Sequence, residues 1–436
     1  MRSMKPFTIQ LMNWPGGPRK IIGKSVLLAL FLLLFLSCSG DIREPVIIWT
    51  DRQEFASYAE LFNASQDTIK VVVVYKDSPV ESLPPARDEL PPDVVVGSWL
   101  RNDTTIKQFR SLDSLFSNQL INQSIYYPQL LTYGSVQNRQ YLLPVSFNLP
   151  AIIFATKNSH LVTEDHLLST DQIRDMASTF NKKNKSNIHT SMGFAPSWSP
   201  DFLYTLVQLK GGNFRGNKGT LAWSQEKLEL SVDYIHHWTE SVNDSVQEEQ
   251  DFAFKYLYTP ETRQILSDSC LFAFTSSSQL FATPKDLLQE ISFRWLHEDN
   301  RIPVEDDMVF MGIHKNSRNT AGAESFVSWF MKEESQHQMM ERSTIMNLSI
   351  TSFGIAGGFS AIQNVTERVF PTYYKTLLDN VPAAQYITAP TALLPRWENL
   401  KTRVIIPWLS EVAMSKDIQS VTPLEQRLAD WSKQHH

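Results

Sequence analysis

The stretch that most constrains the fold of this 436-residue chain is Tyr141–Lys157, in which two apolar runs flank a proline-containing centre. Pro144 and Pro150 have no amide hydrogen to donate to a sheet, so they stop a central strand from running straight through. The second run is apolar without alternation, which is typical of a strand buried on both faces. The stretch therefore predicts a crossing, in which the chain leaves one sheet near Val145 and enters another near Ile152. The alternative is a proline-interrupted edge strand in one large domain.

Three apolar strands are predicted before this crossing. Val46–Thr50, Ile69–Tyr75 and Asp93–Gly97 are runs rich in valine and isoleucine, and apolar residues recur at helical spacing over Phe55–Phe62. Asp51–Glu54 has the pattern of a capping box at the start of that helix. A strand, a helix and a further strand with continuous valine runs indicate a parallel sheet covered on both faces.

A second unit of the same kind is predicted after the crossing. Helical patterns occupy Thr170–Phe180, Asp201–Leu209 and Leu228–Trp238, and buried strands are predicted at Leu271–Thr275 and Met308–Ile313. The chain is 42% hydrophobic and 20% charged, a globular balance with room for two cores.

Several of these segments resemble one known family. The proline-containing crossing, the order of the first strands followed by Ser111–Phe116, and the stretch Met308–Phe330 with Trp329 in its aromatic position resemble the extracellular solute-binding proteins of ABC importers, in their sugar-binding branch. The resemblance extends roughly from Pro45 to Met339. It implies an α/β protein with a two-lobe, periplasmic-binding-protein-like fold of type II. Each lobe would be a mostly parallel sheet flanked by helices, followed by a helical C-terminal part.

The expected domain organisation follows from this resemblance. Residues 45–150 with 306–331 are predicted to form lobe 1, and residues 151–305 with 332–436 lobe 2. A ligand would be enclosed between the lobes when they close.

The N-terminus has the composition of a lipoprotein signal peptide. Residues 1–37 hold five basic and no acidic residues, and the eleven-residue apolar run Val26–Leu36 is too short to span a bilayer. Ser37 before Cys38 resembles the bacterial lipoprotein cleavage box, although Phe35 stands where leucine is usual. We expect cleavage after residue 37, lipidation of Cys38 and a tether over 38–44; an ordinary cleaved signal and an uncleaved anchor are the alternatives.

Charge and cysteine content argue against a nucleic-acid-binding protein and against an intramolecular disulfide. Without residues 1–37, 35 basic residues face 46 acidic ones, a net charge of −11, which argues against nucleic acid as a partner. Only Cys270 then remains besides Cys38, and its apolar neighbours predict a buried small hydrophobe.

Candidate ligand contacts follow from the rule that open sheets bind ligands at the carboxyl ends of their strands. Trp99 and Trp198 could stack on sugar rings, although packing between lobes is the competing interpretation of such aromatics. Asp51 could equally cap its helix. The predicted ligand-binding residues are Thr50, Asp51, Arg52, Trp99, Arg101, Ser146, Asn148, Trp198, Tyr204, Ser276, Ser277 and Asp306.

No catalytic or metal-binding motif is recognisable, and no cofactor is expected. Aspartates and glutamates are scattered along the chain, so the sequence does not exclude a pair of carboxylates of the glycosidase type. Some iron-binding relatives use adjacent tyrosines, and Tyr126-Tyr127 and Tyr373-Tyr374 are such pairs, although helix packing explains both more simply.

The sequence therefore predicts a lipid-anchored substrate-binding protein of an ABC importer, which captures a carbohydrate and delivers it to a membrane permease. It would lie on the extracytoplasmic face of a bacterial cell envelope and would not be an enzyme. The alternatives are a binding protein for a metal, polyamine or anion, and an orphan surface lipoprotein or adhesin that keeps the fold.

Overall fold

Two mixed β-sheets organise the computed structural model, which describes residues 43–164, 166–346 and 352–434. The predicted signal peptide, Cys38 and most of the tether lie outside the described residues. Contacts divide the chain after Glu44, and Pro45–His436 is a unit with its own hydrophobic cores. None of the helices within the described ranges is long and apolar enough to cross a bilayer.

The strands are numbered in chain order. They are β1 (Glu44–Thr50), β2 (Ile69–Tyr75), β3 (Val94–Ser98), β4 (Ser135–Val136), β5 (Arg139–Gln140), β6 (Leu143–Phe147), β7 (Pro150–Ala155), β8 (Leu167–Ser169), β9 (Lys182–Lys183), β10 (His189–Ser191), β11 (Arg215–Asn217), β12 (Thr220–Ala222), β13 (Ala273–Ser276), β14 (Ile291–His297), β15 (Ile302–Pro303), β16 (Val309–Ile313), β17 (Phe359–Ser360) and β18 (Ile387–Thr388).

The α-helices are numbered in the same way. They are α1 (Glu54–Ser65), α2 (Asp113–Ser117), α3 (Pro128–Tyr133), α4 (Thr170–Phe180), α5 (Pro200–Leu209), α6 (Gln225–Val242), α7 (Val246–Lys255), α8 (Glu261–Leu266), α9 (Ser277–Ala282), α10 (Lys285–Leu288), α11 (Thr320–Phe330), α12 (Glu333–Ile345), α13 (Phe370–Tyr373), α14 (Trp397–Leu400), α15 (Ile406–Met414) and α16 (Leu424–Gln434). Lys401–Ile405 is a π-helical turn between α14 and α15.

The first sheet has six strands in the order β17-β6-β16-β3-β1-β2. β3 runs parallel to β1 and antiparallel to β16, which in turn runs antiparallel to β6. Thus β1, β3 and β6 point one way, whereas β16 and β17 point the other. All five residues of β3 are buried, as expected for a valine run covered on both faces.

The second sheet has four strands in the order β13-β7-β14-β8. β7 runs antiparallel to both β13 and β14, and β8 runs parallel to β14, so three of the four strands share one direction. Only Asn148 and Leu149 separate β6 in the first sheet from β7 in the second, which is the crossing that the sequence predicts.

The two prolines of this crossing lie inside the strands rather than between them. Pro144 pairs with Phe310 beside an irregularity in the β6–β16 register, and Pro150 is the first residue of β7. Both are places where a sheet tolerates a missing amide hydrogen. The prediction that these prolines lie between the two strands is therefore wrong, whereas the change of sheet between them is as predicted.

A return crossing carries the chain back from the second sheet to the first, between β15 and β16. Glu305 in this crossing donates its main-chain N–H to the Asn148 carbonyl oxygen at 2.9 Å, so the two crossings are joined. Asp93, just before β3, is hydrogen-bonded to the loop that follows the C-terminal end of β16. Its carboxylate accepts hydrogen bonds from the Ile47 amide at 2.8 Å and from the loop after β16 at 2.6–3.0 Å.

The C-terminal residues divide between the two sheets, which differs from the predicted placement of 332–436 in lobe 2. Phe359–Ser360 pairs with β6 in the first sheet, and Arg342 of α12 donates to Ser57 of α1. Trp397 and Leu409, by contrast, belong to the core cluster beside the second sheet. A two-residue strand has no detectable sequence periodicity, so this division could not be predicted. The boundaries of the two lobes stay a prediction.

Two further predictions can be compared with the structure. Helix α1 begins at Glu54, its N-terminal cap is Gln53, and no side chain bonds the cap, so the capping box predicted at Asp51 is wrong. Cys270 is buried, as predicted, and this burial raises the pKa of its thiol.

Candidate ligand-binding site

A cavity of about 960 Å³ lies beside the return crossing, and residues associated with both sheets line it. Trp99 follows the last residue of β3, whereas Phe274 and Ser276 belong to β13. Glu305–Asp307 line it from the crossing itself. The cavity is thus at the carboxyl ends of β3 and β13, where open α/β sheets bind their ligands, and a ligand here would contact elements of both sheets.

Trp99 lines the cavity with an unfavourable backbone conformation. Its φ is 57°, in the left-handed region, which costs a residue other than glycine about 1–3 kcal/mol. The indole packs against the core cluster of the second sheet, and its Nε1 is buried without a hydrogen-bond partner among the described residues. The strand-end rule identified this residue, but no sequence signal indicated its backbone conformation.

Trp198 lines the cavity from the 3₁₀ turn before α5. Its ring stacks on Phe252 with centroids 5.3 Å apart and planes 14° apart, and its Nε1 donates to the Glu249 carbonyl oxygen at 3.2 Å. The Glu249 side chain is buried and accepts hydrogen bonds from Ser197 and from Asn243, and burial raises its pKa. Trp198 is therefore held in place by packing as well as being exposed to the cavity.

Asp306 is the most highly bonded side chain of the lining. Its Oδ2 accepts hydrogen bonds from the Tyr204 hydroxyl at 2.8 Å and from the Trp397 indole at 2.7 Å, and its Oδ1 lies 3.1 Å from Nζ of Lys401. That ammonium also lies 4.2 Å from the centre of the Tyr204 ring. Burial alone would lower the pKa of Lys401, but the charges of Asp306 and Asp307 outweigh it and raise that pKa. Asp306 therefore fixes the crossing to α5 and α14.

Lys401 and Trp397 were not predicted as site residues. They are four residues apart across the junction of α14 and the π turn, so they project from the same side of the helix. A π turn is often found at functional sites, but it leaves no recognisable sequence signature.

Glu305 and Asp307 flank Asp306. Asp307 could be identified in the sequence as a second aspartate before the strand that begins near Met308, but Glu305 was not predicted as a site residue. Burial and the charge of Asp307 raise the pKa of Glu305 well above its usual range, and burial raises the pKa of Asp307. Oδ1 of Asp307 is buried without a hydrogen-bond partner in the part of the chain that the structure describes. The run Glu305-Asp306-Asp307 could have suggested a polar site, but solvated turns have the same composition.

Ser276 lines the cavity as the N-terminal cap of α9. Its Oγ accepts from the Gln279 amide at 3.3 Å and lies 2.7 Å from Oγ of Ser278, which is also part of the lining.

Thr50, Asp51 and Arg52 lie outside the lining. Thr50 is fully buried, and its Oγ1 accepts from the Arg52 amide at 3.0 Å. Arg52 forms an ion pair with Asp51 at 3.3 Å and donates to Ser98 at 2.7 Å. Arg101 donates to a main-chain carbonyl oxygen at 3.1 Å and is likewise outside the lining.

Ser146, Asn148 and Ser277 are buried within the first crossing. Oγ of Ser277 donates to Oδ1 of Asn148 at 2.7 Å, and Nδ2 of Asn148 donates to the Gly357 carbonyl oxygen at 3.0 Å. Oγ of Ser146 donates to the Ala356 carbonyl oxygen at 3.3 Å. The three side chains therefore stabilise the crossing and do not line the cavity. The predicted ligand-binding residues that do line the cavity are Trp99, Trp198, Tyr204, Ser276 and Asp306.

The tyrosine pairs occupy apolar surroundings. Tyr126 and Tyr127 are buried, and their burial raises both pKa values. The Tyr374 hydroxyl accepts from the Gly354 amide at 3.0 Å. Among residues 43–164, 166–346 and 352–434, no group of three or more histidine, cysteine or acidic side chains could hold a metal ion.

The fold is that of the two-lobe periplasmic binding proteins of type II, as the sequence predicts, in which two α/β lobes are joined by crossing segments. Solved structures with this fold include the sugar-binding protein MalE from the phytopathogen Xanthomonas citri, with 11% identity, a TM-score of 0.60 and coverage of 89% of this chain and 96% of that chain. No model of a protein family matches this chain, and no curated protein matches it.

Two further solved structures come from Listeria monocytogenes. An ABC substrate-binding protein in complex with cycloalternan has 12% identity and a TM-score of 0.59, with coverage of 90% of this chain and 98% of that chain. The maltose-binding periplasmic protein MalE in complex with maltose has 14% identity and a TM-score of 0.58, with coverage of 90% and 99%. At these identities the likeness establishes the fold.

Proposed function

We propose that the protein is a substrate-binding protein of an ABC importer that captures a sugar or an oligosaccharide. The observation that carries this proposal is a cavity of about 960 Å³ whose lining combines the indoles of Trp99 and Trp198 with carboxylates and serine hydroxyls. Aromatic faces can stack on the apolar faces of pyranose rings, while carboxylates accept hydrogen bonds from sugar hydroxyls. The maltose and cycloalternan complexes of the similar structures support the same class of ligand.

The mechanism proposed is capture by closure. A ligand shifts an open–closed equilibrium only if it binds the closed form more tightly, which requires contacts to both lobes. Trp99, which follows β3 of the first sheet, and Ser276, at the end of β13 of the second, could provide these contacts, with Trp198 as a second aromatic face. The closed form would then deliver the ligand to a membrane-embedded permease.

A direct binding experiment tests this function. The chain from Ser39 contains both sheets and can be screened by thermal shift against mono- and oligosaccharides, with amino acids, metals and polyamines as comparison ligands. We expect a saturable rise in Tm with at least one carbohydrate. Shifts restricted to the comparison ligands would contradict the proposal.

We also propose that lipidation of Cys38 anchors the protein to the extracytoplasmic face of the cell membrane. The support is in the sequence: the acid-free start, the eleven-residue apolar run and Ser37 before the cysteine. Cys38→Ser should abolish metabolic labelling with a fatty acid and release the protein from the membrane fraction. Unchanged membrane retention of this variant would contradict lipid anchoring.

A polyamine is the second candidate ligand. Six carboxylates line the cavity, compared with two cationic side chains, Arg301 and Lys401. This excess favours a cationic ligand, and spermidine in the thermal-shift screen tests it.

A further inference from the structure

The cavity has a charge imbalance that neutral sugars would leave uncompensated. Of the two cationic side chains of the lining, Lys401 pairs with Asp306, and Arg301 pairs with Asp299, which lies outside the lining. The ion pairs found within the described residues do not include the other carboxylates of the lining, although the charge of Lys401 acts on Glu305 and the charges of Arg52 and Lys401 act on Asp307. These carboxylates are Asp201, Glu261, Glu305, Asp307 and Glu398.

Two of these carboxylates are partly buried beside Asp306. Glu305 and Asp307 are part of the return crossing, and Asp306 between them already accepts three donors. Oδ1 of Asp307 is fully buried and has no hydrogen-bond partner within the described chain, and the same holds for Nε1 of Trp99. A buried carboxylate oxygen without a donor is costly, so this atom indicates a missing donor.

We infer that the ligand is an amine-bearing carbohydrate whose ammonium group binds between Glu305 and Asp307 while its pyranose ring stacks on Trp99. This inference rests on the proposed function and narrows its ligand class. An ammonium group supplies three hydrogen-bond donors and a positive charge, which are what the two flanking carboxylates lack. Burial raises the pKa of both carboxyl groups, which is consistent with a site where negative charge is unfavourable until a cation binds.

Neutral hydroxyls fit the same atoms less well. A hydroxyl can donate one hydrogen bond to Asp307, but it leaves the charge of both carboxylates uncompensated in a poorly solvated place. A linear polyamine would compensate the charge but would leave the indole of Trp99 without a ring to stack on. The combination of an aromatic face with unpaired carboxylates therefore favours an amino sugar.

The test uses the full chain, purified in a polyoxyethylene detergent that contains neither sugar nor amine. Isothermal titration compares glucosamine with glucose, and the β-1,4-linked glucosamine tetramer with its fully N-acetylated counterpart. Spermidine is a separate probe. We expect the amine-bearing member of a pair to bind about ten-fold tighter or more, since a hydrogen bond to a charged group contributes about 1.5–3 kcal/mol.

Isosteric variants test whether the ammonium group of the ligand binds at Glu305 and Asp307. Glu305→Gln and Asp307→Asn should each weaken binding of the amine-bearing probe about ten-fold. They should weaken binding of its neutral counterpart less, because that probe loses a hydrogen bond but no ion pair. Glu290→Gln, an exposed glutamate outside the cavity, is the matched control. Melting curves of the variants verify that they fold.

The outcomes separate the two proposals. Neutral probes that bind as tightly as the amine-bearing ones would overturn the amino-sugar inference and leave sugar binding intact. Spermidine binding with no response to any carbohydrate would overturn both. Variants that retain full affinity for the amine-bearing probe would also overturn the inference, because they would remove the proposed ion pair without effect.

Discussion

Ser277 donates its hydroxyl hydrogen to the amide oxygen of Asn148 over 2.7 Å, and Asn148 donates in turn to the Gly357 carbonyl oxygen at 3.0 Å. Helix α9 follows the second sheet, and Gly357 precedes β17 of the first. A single asparagine therefore joins both sides of the molecule at the point where the chain crosses.

Asn148→Ala should lower the free energy of unfolding by about 1–3 kcal/mol, because it leaves buried polar groups of Ser277 and Gly357 without partners. Asn148→Asp keeps the acceptor for Ser277 but places a buried carboxylate oxygen against the Gly357 carbonyl oxygen, so near neutral pH we expect a loss at least as large. Urea denaturation measures the free energy of unfolding of both variants. Asn118→Ala, at an exposed position, is the control. If Asn148→Ala lowered the free energy of unfolding no more than Asn118→Ala does, the crossing would not depend on Asn148.

Substitutions at Trp99 should separate ligand binding from stability. Trp99→Gly removes the ring but relieves the positive φ, so Tm should hold or rise while affinity for the ligand falls about ten-fold or more. Trp99→Phe keeps an aromatic face and loses only the unpartnered N–H, so we expect an affinity loss of about three- to ten-fold. The paired measurement is Tm and titration calorimetry. A large drop in the Tm of Trp99→Gly with unchanged affinity would assign this residue to packing.

Trp198 should behave differently because its ring is stacked on Phe252 and its N–H is bonded. Trp198→Ala should weaken ligand binding and also cost about 2 kcal/mol of folding free energy, less than a fully buried tryptophan would. Trp198→Phe should restore most of the stability. If the alanine variant were as stable as the wild type, the stacking on Phe252 would contribute nothing to the fold.

The carboxyl groups of the return crossing should make stability depend on pH. Glu305 and Asp307 have raised pKa values in the folded protein, so over the range between the unfolded and folded values the folded state binds more protons. The free energy of unfolding of the ligand-free protein therefore falls as pH rises through that range. The charged groups that act on the two carboxyls are Arg52, Asp201, Asp306 and Lys401.

Glu305→Gln removes one of these titrations. We expect the ligand-free variant to melt above the wild type at about pH 8, and the difference to shrink toward about pH 3, where Glu305 is protonated in both the folded and the unfolded wild type. Glu290→Gln should show no such trend. A variant that melts below the wild type at every pH would mean that the ionised Glu305 stabilises the fold.

Local patterns explain why much of the fold could be predicted. The helix Thr170–Phe180 has the predicted bounds because Ser169 and Gln172 form a capping box and its apolar residues recur on one face. The strand Ile69–Tyr75 is likewise bounded as predicted, since its valine run is unbroken. Such signals lie within the segment itself and need no tertiary information.

The site could be predicted only in part, because its contacts join distant segments. Trp99 lies at a chain position that the strand-end rule selects, and Asp306 was selected because it precedes a predicted strand near a crossing. Lys401 reaches Asp306 from 95 residues further along, in a helix with no distinguishing pattern. Ser146 and Asn148 were selected because they lie in the predicted crossing, and in the structure their side chains bond the Ala356 and Gly357 carbonyl oxygens instead of lining the cavity. Position along the chain identifies polar residues near a sheet edge, whereas tertiary packing decides whether they meet a ligand or each other.

The backbone of Trp99 has an evolutionary consequence. At φ 57° the backbone conformation alone favours glycine over this tryptophan. Only a benefit from the indole can oppose that tendency over generations. Under the proposed function, descendants of this chain that no longer bind a ligand should therefore drift to glycine or asparagine here, and the residue at this position would indicate whether a given descendant still binds one.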